Sequence, residues 1–224
     1  MSGEPTFEDV LAAAARLQEL VPDAVLVGGS AASHHAGHRV SVDADHVLPD
    51  LRDRFDDILT ALEETDGWVT ARVRQPVLIL GSLEGVETGI RQLIRRRPLE
   101  VEEIGVDGRT LRVPTLDEIF RVKAWLVLRR NATRDCLDVV ALAERLGGRA
   151  AKVIGGMDDY YADQLGPGGA RVATQVAKQL AEPAPYDLSE VDLAHYRKLD
   201  GRWRDWHSVV AASRALAASV LDEA

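Results

Sequence analysis

Apolar residues recur along this chain with two different periods, which indicate strands in one part and helices in another. In the first half, short apolar runs and alternating stretches predict strands, and segments with apolar residues at helical spacing separate them. Beyond Pro114 the helical spacing continues almost to the C-terminus. The predicted strands of the first half are 24–27, 40–48, 68–74, 77–83, 86–94, 99–106 and 110–113. The predicted helices are 7–20, 30–37 and 53–64.

Turn and cap residues mark where several of these elements begin and end. Thr6 precedes an alanine- and leucine-rich stretch with Asp9 in its first turn, which is typical of an N-capped helix. Asp107-Gly108 is a strong two-residue turn, so the last two strands are predicted to form a hairpin. The pattern predicts an α+β half followed by a helical half, with the junction near residues 110–115.

The most informative residues of the first half are Gly28-Gly29-Ser30 and Asp43-Ala44-Asp45. The glycine pair follows a buried-strand pattern and opens a helix, whose free backbone N–H groups suit a phosphate. Asp43 and Asp45 alternate with apolar residues, and side chains two residues apart in a strand share one face. Two carboxylates so placed are costly to keep together unless a cation lies between them. Because Mg²⁺ takes oxygen ligands and accompanies phosphates, the pattern predicts a magnesium–phosphate site.

Three cations of the helical half are candidates for binding phosphate oxygens. Lys123, Arg130 and Arg134 would share one face of a single continuous helix. The helix could instead break at Asn131, with Thr133 capping a second helix. In both cases the chain can present cations to a triphosphate, and the two arginines offer the fork geometry that suits phosphate.

Two blocks of residues together resemble a known family. The first block is an apolar strand, Gly28-Gly29-Ser30, a short helix and then Asp43-x-Asp45. The second runs from Val113-Pro114-Thr115 through Lys123 and Arg130 to Arg134-Asp135 and Asp138. This combination resembles the DNA polymerase beta superfamily of nucleotidyltransferases. Within that superfamily it is most similar to the abortive-infection type toxin nucleotidyltransferases of bacterial toxin–antitoxin systems, over roughly residues 20 to 146.

The resemblance implies a polymerase-beta-like mixed sheet with flanking helices in residues 1–112 and a helical domain in residues 113–224 that completes the site. It also implies a third carboxylate on a neighbouring strand, for which Glu87 is the candidate and Glu84, at a turn, the second choice. The expected cofactor is Mg²⁺ in a two-metal site formed by Asp43, Asp45 and Glu87. The expected substrate is an NTP, held by Gly28, Gly29, Ser30, Lys123, Arg130 and Arg134. The acceptor implied for a toxin is tRNA, and the implied protein partner is an antitoxin.

Composition narrows the functional classes. The net charge of −9 argues against general nucleic-acid binding, although Arg91, Arg95, Arg96 and Arg97 form a local basic cluster. No apolar run approaches the ~20 residues that a membrane span needs, and the acidic N-terminus lacks a signal core. With only one cysteine, Cys136, no intrachain disulfide can form, so we expect a cytoplasmic protein.

Two alternatives remain open at the level of sequence. The acidic composition favours a small-molecule or protein acceptor over tRNA, as in antibiotic-modifying relatives. If Glu87 is not a ligand, the chain could instead be a catalytically silent protein that binds a nucleotide or a partner. A zinc site at His34 and His38 is disfavoured because no cysteine accompanies them.

Overall fold

The computed structural model describes residues 4–165 and 168–223. Its contacts divide these residues into two compact units. The first unit consists of the residues up to Ala31 together with Ser41–Thr115. The second consists of Ala32–Val40 together with the residues from Leu116 onwards. A short internal segment, Ala32–Val40, therefore belongs to the second unit although both sequence neighbours belong to the first.

The first unit contains a five-stranded mixed sheet and a separate hairpin. The sheet strands are β1 Val25–Leu26, β2 Ala44–Leu48, β3 Trp68–Arg74, β4 Leu78–Leu83 and β5 Val86–Gln92. Their spatial order is β1-β2-β5-β4-β3, in which β2 and β5 are parallel and all other neighbours are antiparallel. The hairpin is β6 Val101–Val106 with β7 Arg109–Pro114. The helices are α1 Phe7–Leu20, α3 Phe55–Glu63 and the start of α2 Gly28–Ala36.

One face of this sheet is apolar and packs against helices α1 and α3. Its buried side chains are Ala44, Leu48, Ile79, Leu83, Val86 and Ile90. In one apolar cluster, Leu48, Ile79, Leu83 and Ile90 pack with Leu17 of α1 and with Phe55, Ile58 and Leu62 of α3. Ala44 and Val86 belong to a second cluster, with Val10 and Ala13 of α1. Each fully buried aliphatic or aromatic side chain contributes about 1.5 to 3 kcal/mol. Because side chains alternate along a strand, the residues between the buried ones project from the opposite, open face.

Local sequence signals account for the first helix and for the hairpin. The Thr6 hydroxyl accepts a hydrogen bond from the Asp9 N–H at 3.2 Å, and the Asp9 carboxylate accepts one from the Thr6 N–H at 2.8 Å. This capping box confirms the predicted start of α1. Asp107 and Gly108 have φ angles of 48° and 76°, which a two-residue hairpin turn requires, so the predicted hairpin is also confirmed.

The second unit is helical throughout its described residues, apart from its loops. Its α-helices after α2 are α4 Leu116–Arg129, α5 Thr133–Leu146, α6 Arg149–Gly155, α7 Met157–Tyr160, α8 Val172–Ala181 and α9 Trp206–Asp222. Helix α4 packs on α5, and α8 packs on α9. Phe120, Leu137, Val176 and Trp203 are buried in this unit. The predicted α+β class, with a mixed sheet and a C-terminal helical region, is confirmed.

One sequence expectation about element boundaries needs correction, and one alternative left open is decided. The predicted strand at 40–48 begins only at Ala44, so Asp43 lies just before it. Of the two alternatives that the sequence left open after Pro114, the break at Asn131 is the one observed: Asn131 has a φ of 49°, so Lys123 and Arg134 lie on different helices. Within the described residues, no helix combines the length and apolar composition needed to cross a membrane.

Candidate active site

The glycine turn after β1 lies directly against Asp45. Gly28 has a φ of 71°, and a Cβ atom built on it would lie 3.3 Å from Asp45 Cβ and 3.4 Å from Asp45 Oδ2. Glycine is therefore required both by the left-handed backbone conformation and by the close approach of the carboxylate. The Val27 N–H also donates to the Asp45 carbonyl at 2.7 Å. The structure thus brings the predicted phosphate loop and one predicted metal ligand together.

Ser30 ties the same turn to Asp43 through its side chain. It is fully buried, and its hydroxyl donates to the backbone carbonyl of Asp43. This bond fixes the chain where it enters β2 and therefore fixes the starting point of the Asp43–Asp45 segment. Since the hydroxyl is already used, a phosphate would meet Ser30 through its backbone N–H, which the start of a helix leaves without an intrahelical partner.

The register of β2 and β5 places Glu87 on the same sheet face as Asp45. Asp45 pairs with Gly89, and Glu87 lies two residues before Gly89 on β5. Thr88 and Ile90, which flank Gly89 on β5, are buried on the apolar face, whereas Glu87 is exposed. The alternation therefore directs Glu87 to the open face, on the side towards Asp43. The second choice, Glu84, lies in the β4–β5 turn and forms an ion pair with Arg16.

A cation also lies on this open face. Arg91, two residues beyond Gly89, has its Nε 3.8 Å from Oδ1 of Asp45. Both side chains remain partly exposed, at 48% and 36%. The other arginines of the local basic cluster lie beyond the end of β5, where Arg95 is buried and donates to the Arg97 and Pro98 carbonyls. The acidic face therefore has a neighbouring positive charge at the level of Asp45.

The carboxylates beside the Gly28 turn are of the chemical type that Mg²⁺ binds, but the oxygens of Asp43, Asp45 and Glu87 do not all lie within 4.8 Å of one another. Asp43, Asp45 and Glu87 offer carboxylate oxygens, which are the ligands that Mg²⁺ prefers. The Gly28 turn leaves room beside Asp45 where any other residue would place its Cβ atom. His46, between the open-face positions, is fully buried on the other side of β2, and burial lowers its pKa to about 4. A neutral imidazole on the apolar face adds no charge to the acidic face.

In the second unit, Lys123 belongs to a buried ionic cluster centred on Asp138. Its Nζ lies 2.7 Å from Asp138 Oδ2 and 3.7 Å from Asp135 Oδ1. Asp138 also accepts hydrogen bonds from Arg39 at 2.8 and 3.0 Å, and it contacts Nε2 of His38 at 2.8 Å. Lys123 and Asp138 are 1% and 0% exposed. Burial would raise the pKa of Asp138, but Arg39, Lys123 and His38 hold it well below its ordinary value.

Arg130 and Arg134 have different surroundings. Arg130 forms a bidentate pair with Asp135 at 2.7 and 2.6 Å, and its side chain is 36% exposed. Arg134 lies in the first turn of α5 and is exposed. The expected cap of α5 by Thr133 is wrong, because Asp187 accepts from both the N–H and the hydroxyl of Thr133 instead. Asp135 and Asp138 thus neutralise neighbouring cations: Asp135 pairs with Arg130, and Asp138 pairs with Lys123, Arg39 and His38.

Arg39 and His38 are the members of this cluster that the sequence did not indicate. They follow α2, and their partner Asp138 lies about a hundred residues later on α5, so no local pattern connects them. The sequence could have assigned Arg91 to the open face of the sheet, because side chains alternate along β5 and Arg91 therefore shares the face of Glu87.

Comparison with known proteins identifies the fold. No family model matches the chain. The structure of ANT(2'')-Ia in complex with adenylyl-2''-tobramycin covers 71% of this chain and 99% of its own, with a TM-score of 0.52 and 13% identity. A Helicobacter pylori protein classed provisionally as a nucleotidyltransferase covers 97% of this chain and 94% of its own, with a TM-score of 0.50 and 14% identity. The chain has a nucleotidyltransferase fold.

Part of a longer protein is similar to this chain in sequence. The heme uptake protein MmpL11 of Mycobacterium tuberculosis is 31% identical over 195 residues, which cover 81% of this chain. The match accounts for 20% of MmpL11, so the chain spans about a fifth of the length of this relative. A segment similar to this chain therefore occurs within a much longer protein.

Proposed function

We propose that this chain is a Mg²⁺-dependent nucleotidyltransferase that transfers a nucleoside monophosphate from an NTP to an acceptor hydroxyl and releases pyrophosphate. The observation that carries the proposal is the position of Asp45, which lies against the Gly28 turn and on the same sheet face as Glu87. The fold shared with ANT(2'')-Ia supports the reaction class.

In the proposed site, the backbone N–H groups of Gly28, Gly29 and Ser30 bind the terminal phosphates. Asp43 and Asp45 bind the metal ions, and Glu87 helps to hold the ion beside the acceptor and accepts the proton of its hydroxyl. The ions that these carboxylates would hold supply positive charge for the attacking and leaving oxygens of an in-line displacement.

The resemblance also assigns Lys123, Arg130 and Arg134 to the nucleotide as sources of positive charge. Arg134 is exposed, so its guanidinium group can contact phosphate oxygens directly, whereas Arg130 would share its guanidinium group with Asp135. Lys123 would have to leave Asp138 to do so. We therefore assign Lys123 the weakest direct contribution of the three.

The acceptor in this proposal is tRNA, with an antitoxin as the protein partner that restrains the enzyme. The second candidate acceptor is the hydroxyl group of a small molecule, which two observations support. The net charge of −9 opposes binding of a polyanion, and the fold is shared with an enzyme whose structure contains an adenylylated tobramycin.

A catalytically silent nucleotide- or partner-binding domain is the alternative outside enzymes. It is favoured by the match to a segment of MmpL11, a protein named for heme uptake rather than for nucleotide transfer. Under this reading, the carboxylates and the glycine turn would bind a metal–nucleotide complex without turnover.

Label transfer from α-³²P NTPs in the presence of Mg²⁺ tests the proposal. The acceptor pools are total tRNA, protein extract and a set of aminoglycosides, each incubated with wild type, Asp43→Asn, Asp45→Asn and Asp57→Asn. Asp57 is an exposed residue of α3, so its variant is the matched control for losing one carboxylate in the first unit.

We expect label in one pool, lost with Asp43→Asn and Asp45→Asn and retained with Asp57→Asn. If no pool is labelled but Mg²⁺–NTP still raises the melting temperature of the wild type and not of Asp45→Asn, the silent domain is supported instead. If no pool is labelled and Mg²⁺–NTP does not raise the melting temperature of the wild type, the proposed nucleotide site itself is refuted.

A further inference from the structure

The positively charged side chain of Arg91 lies beside the Asp45 carboxylate, which the proposed function assigns to a metal ion. We propose that Arg91 is the resident counter-cation of Asp45, which neutralises the carboxylate before metal binding and which a divalent cation must displace. This inference rests on the proposed function, because it takes Asp45 as a metal ligand. The structural basis is the 3.8 Å separation between Arg91 Nε and Asp45 Oδ1.

The geometry of the sheet explains why Arg91 can reach Asp45. The residue opposite Asp45 on β5 is Gly89, so no side chain lies directly beside the carboxylate on that strand. A Cβ atom at position 89 would lie 2.5 Å from Leu80 Cδ2 and 2.7 Å from the Ile79 carbonyl, so the position is restricted to glycine. Arg91 follows two residues later on the same face and extends diagonally to Asp45, a distance that long side chains span.

The contact has the properties of an exchangeable pair rather than a structural one. Its 3.8 Å separation exceeds the 2.7 Å of the buried Lys123–Asp138 pair, and its side chains are 48% and 36% exposed. Water therefore screens the attraction, and separating the two groups leaves neither one buried without a partner. A divalent ion, with twice the charge and direct coordination, can replace the guanidinium without disrupting the core.

Competition of this kind predicts that removing Arg91 strengthens the binding of a free divalent ion. A unit charge 3.8 Å away in a largely aqueous environment alters affinity by roughly twofold to sixfold. The effect concerns metal binding itself, so it can be measured without substrate and without turnover.

The test is a titration of the full chain with Mn²⁺ alone, with free Mn²⁺ followed by electron paramagnetic resonance. The variants are Arg91→Ala, Arg91→Gln, Asp45→Asn and the control Arg72→Ala. Arg72 is exposed on β3 and pairs with Leu80, which pairs with Gly89, so it lies in the same row of the sheet. Three strand spacings separate it from Asp45, roughly 14 Å. Its loss therefore reproduces the change in net charge without the contact.

We expect both Arg91 variants to bind Mn²⁺ about twofold to sixfold more tightly, with Arg72→Ala unchanged and Asp45→Asn without specific binding. Arg91→Gln keeps most of the side-chain volume and serves if Arg91→Ala is poorly folded. Equal affinity in wild type and both Arg91 variants, or an equal gain in Arg72→Ala, would overturn the role of Arg91 while leaving the metal site intact. If the wild type shows no Mn²⁺ binding that the Asp45→Asn substitution removes, the proposed metal site is overturned, and this inference with it.

Discussion

Replacing Asp138 by asparagine removes the only carboxylate that contacts both Lys123 and Arg39 among the described residues. The shape of the side chain is kept, but two buried cations lose the partner that compensates their desolvation. Lys123 is 1% exposed and Arg39 is 7% exposed, so water cannot replace that partner without opening the helical unit. We therefore expect a large loss in the free energy of unfolding.

The size of the expected loss in unfolding free energy depends on the burial of the two cations and on Asp135, which still compensates part of the Lys123 charge. Removing one partner of a buried ion pair costs about 3 to 5 kcal/mol. Asp135 remains 3.7 Å from Lys123 and keeps part of the compensation, which places the expected loss near the lower end, about 3 kcal/mol. The control is Asp117→Asn, whose partner Arg149 lies 3.2 Å away with both side chains partly exposed. Such surface pairs contribute less than about 1 kcal/mol.

Urea denaturation at pH 7 measures both losses from the midpoint and slope of the transition. Tryptophan fluorescence reports mainly on the second unit, because three of the four tryptophans, Trp125, Trp203 and Trp206, lie in it. The double variant Lys123→Met/Asp138→Asn should be less destabilised than the sum of its single changes, since it removes one buried charge of each sign. A loss in Asp138→Asn no greater than in Asp117→Asn, or strictly additive single changes, would refute the assignment of a buried ionic cluster.

Three further predictions follow from the same structure. The pKa of Asp138 is held well below its unfolded value of about 3.9, so its contribution is complete above that pH and disappears as the pH falls below it. The stability difference between wild type and Asp138→Asn, measured by urea titration, should therefore shrink between pH 5 and pH 3, and a constant difference would contradict this. Gly28→Ala and Gly85→Ala both place a side chain at positive φ and should each lose about 1 to 2 kcal/mol. Only Gly28→Ala should weaken Mn²⁺ binding, because only its methyl group meets Asp45, whereas nothing lies within 4 Å of that position at Gly85. Burial raises the pKa of Cys136 to about 12, so alkylation at pH 8 should be at least roughly a thousandfold slower in the folded protein than in urea. Comparable rates in the two states would show that Cys136 is accessible.

Sequence patterns identified those elements whose stabilising contacts are local. The first helix has its cap within four residues, and β3 begins at Trp68 and ends at Arg74 as predicted, because alternation and flanking turns define it. The two-residue turn at Asp107-Gly108 defined the hairpin for the same reason. The roles of Asp43, Asp45, Glu87 and the glycine turn in binding remain predictions.

Elements with distant partners were predicted less well. Residues 40–43 alternate like a strand, yet the preceding His38 and Arg39 bind Asp138, and the Val40 N–H donates to the Arg197 carbonyl at 2.8 Å. These contacts belong to the helical unit and delay the start of β2 until Ala44. No pattern within the neighbouring residues reveals a partner that lies a hundred or more positions away.

The sequence by itself determined the two-part arrangement of strands and helices, because periodicity and turn chemistry act over a few residues. Only the tertiary structure decided that Gly28 touches Asp45, that Arg91 stands beside this carboxylate and that Lys123 is neutralised by Asp138. Those outcomes depend on strand register and helix packing, which join residues far apart in the chain. The charge that a side chain carries can be read from the sequence, whereas the charge that compensates it is set by the fold.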